Sequence, residues 1–233
     1  MKKKAVFFDF GGTLLVMRRD RIISRILTHN GYTATPDEVR SAYFAVEPGW
    51  LIAYGRLKLT PDESEESYRQ LDALVFRRLF PGSPDVEVDR MSRLMRKLWP
   101  EVQGTIPLEL YPDAEPTLRR LSDTGFKLAL VSNAPPDVAE TVSDLGLGRY
   151  FSVVVISGIA GVSKPNPDIF RIALRATGTQ PGEAIHVGDL YEADVEGARN
   201  AGVTGILIDR DGNYGEVDCP RITGLEGVFD FLE

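Results

Sequence analysis

Side chains capable of acid–base, metal or phosphate chemistry lie near the ends of the chain's apolar segments. They are Asp9, Ser132, Lys164, Asp189 and Asp194. Carboxylates brought together repel each other unless a cation is present, and oxygen ligands favour a hard divalent ion, here predicted to be Mg²⁺. A lysine can then act as a point charge on a phosphate or a carboxylate, while a serine donates to a phosphoryl oxygen. The set predicts metal-dependent chemistry on an anionic substrate.

Each of these residues also has a structural interpretation. Ser132 and Asn133 are common turn formers, and Lys164 could be a solvated loop lysine. Asp194 could lie in the first turn of a helix, and His186 is interpreted as a packed side chain rather than a base. In open α/β sheets, however, ligands bind beyond the carboxyl ends of the strands. The occurrence of these residues after successive predicted strands therefore favours one shared site.

The first of these strands is Ala5–Phe8, an apolar run without polar alternation. Such a run is typical of a strand that is covered on both faces, as in a parallel sheet. It ends at Asp9 and is followed by Gly11 and Gly12, which permit a tight turn. We expect the amides of this turn to be available to a bound anion.

The pattern changes twice along the rest of the chain. From about Met17 to Pro107 apolar residues recur at helical spacing, interrupted by Pro48-Gly49, Gly55 and the segment Pro81–Pro84. From Leu108 helical segments alternate with apolar strands, which indicates β-α-β units. We therefore predict an α/β fold. It consists of a Rossmann-like, three-layer parallel-sheet domain (residues 1–16 and 108–233) with an inserted all-helical domain (residues 17–107).

In the insertion, Ile22, Ile23, Ile26 and Leu27 predict a first helix that extends until Gly31, and three further predicted helices cover Pro36–Phe44, Pro61–Leu79 and Val88–Leu98. In the α/β domain the predicted strands after the first are Phe126–Val131, Val153–Ile156, Ala184–Val187 and Gly205–Ile208. The predicted helices there are Glu115–Thr124, Asp137–Leu145, Pro167–Ala176 and Glu192–Ala201.

Composition excludes several classes of function. Lys and Arg number 27 against 34 Asp and Glu, giving a net charge of −7, which argues against nucleic-acid or anionic-membrane partners. The apolar run Val153–Val162 is too short to span a bilayer. The single cysteine, Cys219, excludes an internal disulfide framework and a cysteine-rich zinc site. Asp9 cuts the first apolar segment too short for an export signal, so we expect a cytoplasmic protein.

The segments that carry these residues resemble, in order, the motifs of the haloacid dehalogenase-like hydrolase superfamily. They are Asp9-Phe10-Gly11-Gly12-Thr13, Val131-Ser132-Asn133, Ser163–Phe170, and Gly188–Asp194 leading into Gly197-Ala198. One large subgroup, which includes phosphoglycolate phosphatases and the haloacid dehalogenases, carries a helical cap directly after the first motif. The helical insertion of this chain lies at that point.

The resemblance implies a fold, a cofactor and a mechanism. Asp9 would be the nucleophile that forms an aspartyl-phosphate, with Lys164 as a second catalytic residue. The implied substrate-binding groups are Ser132, Asn133 and the backbone of Gly11 and Gly12. The implied Mg²⁺ ligands are Asp9, the backbone carbonyl of Gly11, Asp189 and, directly or through water, Asp194. The substrate would be a small phosphorylated metabolite chosen by the cap, where Arg56 and Lys58 either meet an anionic group or are solvated loop charges.

Gly11 departs from the family pattern. The phosphatases carry a second aspartate there, which protonates the leaving group and then activates water, whereas glycine cannot transfer a proton. Three interpretations stay open. The chain is a phosphohydrolase whose substrate has a good leaving group or whose proton comes from elsewhere, a protein that binds phosphorylated metabolites with negligible turnover, or a dehalogenase-like enzyme. The last is the weakest, because dehalogenases replace the pair that stands here as Gly188-Asp189.

Overall fold

The computed structural model describes residues 2–54 and 61–233, so Arg56 and Lys58 lie outside the described residues. The chain forms two compact units. One comprises Met1–Val16 and Glu109–Glu233, and the other comprises Met17–Leu108. The second boundary lies one residue after the position that the sequence patterns predict.

The first unit is built on a six-stranded parallel sheet. Its strands are β1 (Ala5–Phe8), β2 (Lys127–Ser132), β3 (Val153–Ile156), β4 (Ala184–Gly188), β5 (Thr204–Ile208) and β6 (Arg221–Ile222). Their spatial order is β3-β2-β1-β4-β5-β6, so β1 lies in the middle and the strand order reverses between β1 and β4. This reversal is the position at which open α/β sheets bind ligands.

Both faces of the sheet are buried, as the apolar runs predict. Along β1, Ala5 and Phe7 contribute to the core on one face, while Val6 and Phe8 contribute to the core on the other. All four side chains are fully buried. Alternate residues of a strand point to opposite faces, so a run without polar residues needs cover on each side. The predicted α/β class with a Rossmann-like parallel sheet is confirmed.

Helices provide this cover. They are α5 (Ala114–Asp123), α6 (Val138–Asp144), α7 (Ser157–Ala160), α8 (Pro167–Thr177) and α9 (Gly197–Asn200). Helix α8 begins where its sequence suggests, because the Asn166 side chain accepts from the Asp168 amide and Pro167 occupies the first turn. Gly178 ends it in the left-handed conformation at φ +65°. The predicted helix Glu192–Ala201 is instead a π-helical turn, Tyr191–Glu196, that continues into α9.

The second unit is helical. Its helices are α1 (Arg19–His29), α2 (Pro36–Tyr54), α3 (Pro61–Leu79) and α4 (Asp85–Gly104). The predicted break at Pro48-Gly49 is wrong, since α2 continues through both residues. An internal proline removes one helical hydrogen bond and kinks a helix, but it need not end it. Among the helices of the described residues, none combines the length and the apolar character that a membrane crossing requires.

Candidate active site

The carboxyl ends of β1 and β4 bring aspartates together. Asp9 follows β1 and Asp189 follows β4, and the two strands are neighbours in the sheet. The Asp9 amide donates to the Val187 carbonyl (2.9 Å), which continues the ladder up to the carboxylate. One carboxylate oxygen from each of Asp9, Asp189 and Asp194 lies within 4.8 Å of the others. The predicted convergence of these residues is therefore present in the structure.

Lys164 lies inside this cluster and is 3% exposed. Its Nζ donates to Asp9 Oδ1 at 2.7 Å and to Asp194 Oδ1 at 2.6 Å. Burial by itself lowers the pKa of Lys164, but the charges of Asp194 and Asp9 outweigh it and hold that pKa above its usual value. The lysine is therefore a buried cation bound to two carboxylates, and the solvated-loop interpretation does not hold.

Asp194 is held by donors on both of its oxygens. Oδ1 accepts from Lys164 and lies 2.9 Å from His186 Nε2, while Oδ2 accepts from the Leu190 amide at 3.0 Å. Burial would raise the pKa of Asp194, yet the Lys164 charge and the His186 hydrogen bond hold it below the usual range. The Asp194 side chain can lie here only because residue 188 is glycine, since a Cβ at position 188 would lie 2.1 Å from Asp194 Cγ.

His186 takes part in the site as well as in packing. Its ring packs edge-on against Phe170, with 5.0 Å between centroids, as expected of a packed side chain. Burial lowers its pKa, and the contact between Nε2 and the Asp194 carboxylate, which can only accept, assigns a proton to Nε2. Nδ1 has no hydrogen-bond partner among the described residues. Strand alternation places position 186 on the same face as Gly188, but no local pattern reveals the contact with Asp194.

The structure corrects the prediction for Gly12. Its amide donates to the Leu15 carbonyl at 2.8 Å within the turn, so it is not available to a bound anion. Gly12 adopts φ +79°, and a Cβ there would lie 2.2 Å from Asp189 Oδ2. Its contribution is therefore the space that it leaves for the Asp189 carboxylate. Gly11 precedes it in the turn and bridges to Leu15.

The other predicted substrate-binding residues lie at the end of β2. Ser132 is the last residue of that strand and is buried. The Asn133 side chain binds the backbone of Lys164 in both directions, donating to its carbonyl (2.9 Å) and accepting from its amide (2.8 Å). Asn133 therefore fixes the loop that carries the lysine, a role that its position after a strand does not reveal.

Arg210 is a residue of this region that the sequence patterns miss. Its guanidinium donates to both carboxylate oxygens of Asp113 (3.0 and 2.9 Å) and to the Thr13 carbonyl (2.8 Å). It also lies over the Tyr111 ring at 3.7 Å. The arginine thereby connects the segment after β5 to the turn that follows Asp9, and bidentate contacts of this kind fix orientation as well as distance.

The donor set fits a hard divalent cation. Three carboxylates lie within 4.8 Å of one another, and they outnumber the ammonium of Lys164, so an excess of negative charge is buried at the strand ends. In proteins, Mg²⁺ binds to oxygen ligands at sites that carry excess negative charge. The glycines at positions 12 and 188 leave room for the carboxylates that face this centre.

The fold and the site together define a Rossmann-like domain with a cluster of carboxylates at the ends of its parallel strands. The family of haloacid dehalogenase-like hydrolases matches residues 3–202, and the chain belongs to this family. The resemblance of the sequence motifs is thereby confirmed.

Relatives of this chain include phosphatases. It is 47% identical to the phosphoserine phosphatase of Thermus thermophilus over 102 residues, covering 43% of this chain and 41% of that protein. It is 44% identical to the glyceraldehyde 3-phosphate phosphatase of Methanopyrus kandleri over 115 residues, covering 49% and 48%. The chain thus spans less than half the length of these curated relatives. The crystal structure of a phosphatase of this family from Thermococcus onnurineus matches with a TM-score of 0.60 and 29% identity, covering 98% of this chain and 97% of the other.

Proposed function

We propose that the protein is a Mg²⁺-dependent phosphohydrolase that acts on a small phosphorylated metabolite through an aspartyl-phosphate at Asp9. The observation that carries this proposal is the buried ammonium of Lys164, bound to Asp9 and Asp194 beside Asp189. Its family relatives support it, because those described above are phosphatases.

Asp9 is the nucleophile of the proposed reaction. Lys164 binds Oδ1 and orients the carboxylate, which leaves Oδ2 to attack the phosphorus. The new Asp9–phosphorus bond forms as the bond to the leaving oxygen breaks, and the leaving group departs with the electron pair. Water then attacks the phosphorus, the bond to Asp9 breaks, and inorganic phosphate and the carboxylate are released. Ser132, at the adjacent strand end, donates to a phosphoryl oxygen.

The residues that would hold Mg²⁺ are Asp9, Asp189, the backbone carbonyl of Gly11 and, directly or through water, Asp194. When bound, the ion neutralises charge on the phosphoryl oxygens. Lys164 supplies a second positive charge from within the protein. The hydrogen bonds to Asp194 keep the lysine at a fixed place while the charge on Asp9 changes during the reaction.

Gly12→Ala is expected to weaken Mg²⁺ binding about tenfold or more, because the new methyl group would displace the Asp189 carboxylate. Gly125→Ala is the matched control. Gly125 has a similar φ of +87° but nothing within 4 Å of the added Cβ, so both variants carry the same backbone strain of about 1–2 kcal/mol. Calorimetric titration with Mg²⁺ compares the two. Equal Mg²⁺ affinities of the two variants would show that Gly12 matters only for the conformation of the turn.

Gly11 restricts which substrates the proposed enzyme can hydrolyse. No side chain at this position can protonate the leaving group, so the group must depart as a stable anion or take its proton from another residue or from water. Acyl phosphates and activated aryl phosphates meet the first condition.

The same glycine favours a second candidate function, binding of a phosphorylated metabolite with negligible turnover. The site would then keep its ion and its phosphate contacts without completing the reaction. A dehalogenase-like reaction has less support, since Asp189 is retained and lies within the carboxylate cluster.

Phosphate release from a panel of substrates, with and without Mg²⁺, tests the proposal. We expect Mg²⁺-dependent release from acetyl phosphate and 4-nitrophenyl phosphate, and slower release from phosphoserine and glyceraldehyde 3-phosphate. Tight binding of a metabolite with no release above buffer would favour the binding function. Halide release from a 2-haloacid without added metal would favour the dehalogenase reaction.

A further inference from the structure

Tyr214 contacts the backbone on both sides of Leu190, the residue that follows Asp189. Its hydroxyl donates to the Asp189 carbonyl at 3.0 Å and accepts from the Tyr191 amide at 3.3 Å. Asp189 comes directly after β4, and Tyr191 begins the π-helical turn that carries Asp194. The Tyr214 hydroxyl therefore holds the start of the segment that connects Asp189 to Asp194.

The loop that carries Tyr214 is itself held in place. Asp209, the residue after β5, is buried, and its carboxylate accepts from the Asn213 amide (2.8 Å) and the Tyr214 amide (3.3 Å). Arg221 on β6 donates to the carbonyls of Tyr214 (2.8 Å) and Gly215 (3.1 Å). These hydrogen bonds hold the middle of the loop between β5 and β6 to the residues at its two ends. The Tyr214 hydroxyl therefore has a defined position.

We propose that Tyr214 is a positioning residue for Asp189, and that it sets the affinity of the site for Mg²⁺. The inference rests on the proposed function, because it takes Asp189 as a ligand of the ion. The hydroxyl fixes the peptide after Asp189, and this peptide fixes the direction in which the carboxylate leaves the main chain. Groups that orient a metal ligand without touching the metal commonly change affinity by about 10–100-fold.

Removal of the hydroxyl leaves two backbone groups to find other partners. The Asp189 carbonyl loses a donor, and the Tyr191 amide loses an acceptor. Each group then favours a backbone conformation in which it can hydrogen-bond to water. That conformation no longer orients the Asp189 carboxylate for Mg²⁺. The effect is expected in the binding of Mg²⁺ rather than in the packing of the sheet, since Tyr214 lies on a partly exposed loop.

Tyr214→Phe tests the proposal by calorimetric titration with Mg²⁺ in the absence of substrate. We expect affinity to fall about tenfold, while the melting temperature without Mg²⁺ changes little. Tyr191→Phe is the matched control. It also removes one phenol oxygen close to the site, but that oxygen contacts Asp218 and Arg199 at the surface, so Mg²⁺ affinity is expected to equal that of the wild type.

Arg221→Ala provides a second variant if Tyr214→Phe does not fold. It loosens the same loop from its exposed side and is expected to lower Mg²⁺ affinity in the same direction by a smaller factor. Unchanged affinity in Tyr214→Phe, or an equal loss in Tyr191→Phe, would overturn the positioning role, as would a wild-type protein that does not bind Mg²⁺. A wild-type protein that binds Mg²⁺ but releases no phosphate would overturn the proposed function alone.

Discussion

Asp9→Asn is expected to lower the rate of phosphate release by at least about 10³-fold. The asparagine amide is a poor nucleophile, so the covalent bond to phosphorus does not form. The loss should appear in kcat for every substrate of the panel, because each requires the same attacking group. Mass spectrometry of enzyme quenched during turnover of acetyl phosphate should show an added phosphoryl group in the wild type and none in the variant.

The fold should survive this change. The substituted side chain keeps an amide oxygen in the position of Oδ1, and Lys164 retains its charged partner Asp194 at 2.6 Å. Asp168→Asn is the matched control, since it makes the same chemical change at an exposed carboxylate paired with Arg171. We expect wild-type activity from the control and a melting temperature close to that of the wild type for Asp9→Asn.

Retention of more than about a tenth of the wild-type rate by Asp9→Asn would place the nucleophile elsewhere. If Asp9→Asn loses activity because it unfolds, mass spectrometry of the wild-type protein tests the role of Asp9 instead. In that measurement, the phosphorylated peptide must contain Asp9, and a phosphorylated peptide from any other segment would contradict the mechanism.

The sheet could be predicted from the sequence because strands buried on both faces leave a continuous apolar signal. The strand Val153–Ile156 and the helix Pro61–Leu79 have the predicted bounds. The convergence of Asp9, Lys164, Asp189 and Asp194 followed from their order, since parallel strands end at the same edge of a sheet. These inferences need only periodicity and topology, and a single sequence carries both.

Other features depend on contacts that periodicity does not encode. The continuation of α2 through Pro48-Gly49 reflects tertiary context that outweighs local propensity. His186 on β4 contacts Asp194 in the π-helical turn, and no pattern in the sequence predicts this turn. Tyr214 reaches Asp189 across 25 positions of the chain, and a lone tyrosine in a polar loop resembles any other surface tyrosine. The sequence therefore predicts which charged side chains converge better than it predicts the residues that hold them in place.

Gly11→Asp is expected to raise kcat/KM on unactivated alkyl phosphates by about 10²–10⁴-fold, the usual contribution of a positioned acid–base group. The variant restores the second aspartate of the family's phosphatase motif, two residues after Asp9. The left-handed φ values among the described residues include that of Gly12 but not that of Gly11, so an aspartate can adopt this backbone. Acetyl phosphate should gain much less, because its leaving group departs without a proton.

The dependence of rate on the leaving group separates this explanation from a general improvement of the site. Across a series of phosphate monoesters, wild-type kcat/KM should fall steeply as the pKa of the leaving alcohol or phenol rises, and the slope should be shallower in Gly11→Asp. Gly11→Asn has nearly the same size but transfers no proton, and its slope should match that of the wild type.

The outcome of this series decides what Gly11 means for the protein. Equal gains in Gly11→Asn and Gly11→Asp would attribute the effect to the backbone of the turn rather than to proton transfer. If a folded Gly11→Asp variant binds Mg²⁺ without any gain on alkyl phosphates and the wild-type slope is already shallow, another group supplies the proton, because a working general acid removes the penalty on poor leaving groups. A steep wild-type slope together with an unimproved variant would instead show that a carboxylate at position 11 does not reach the leaving oxygen.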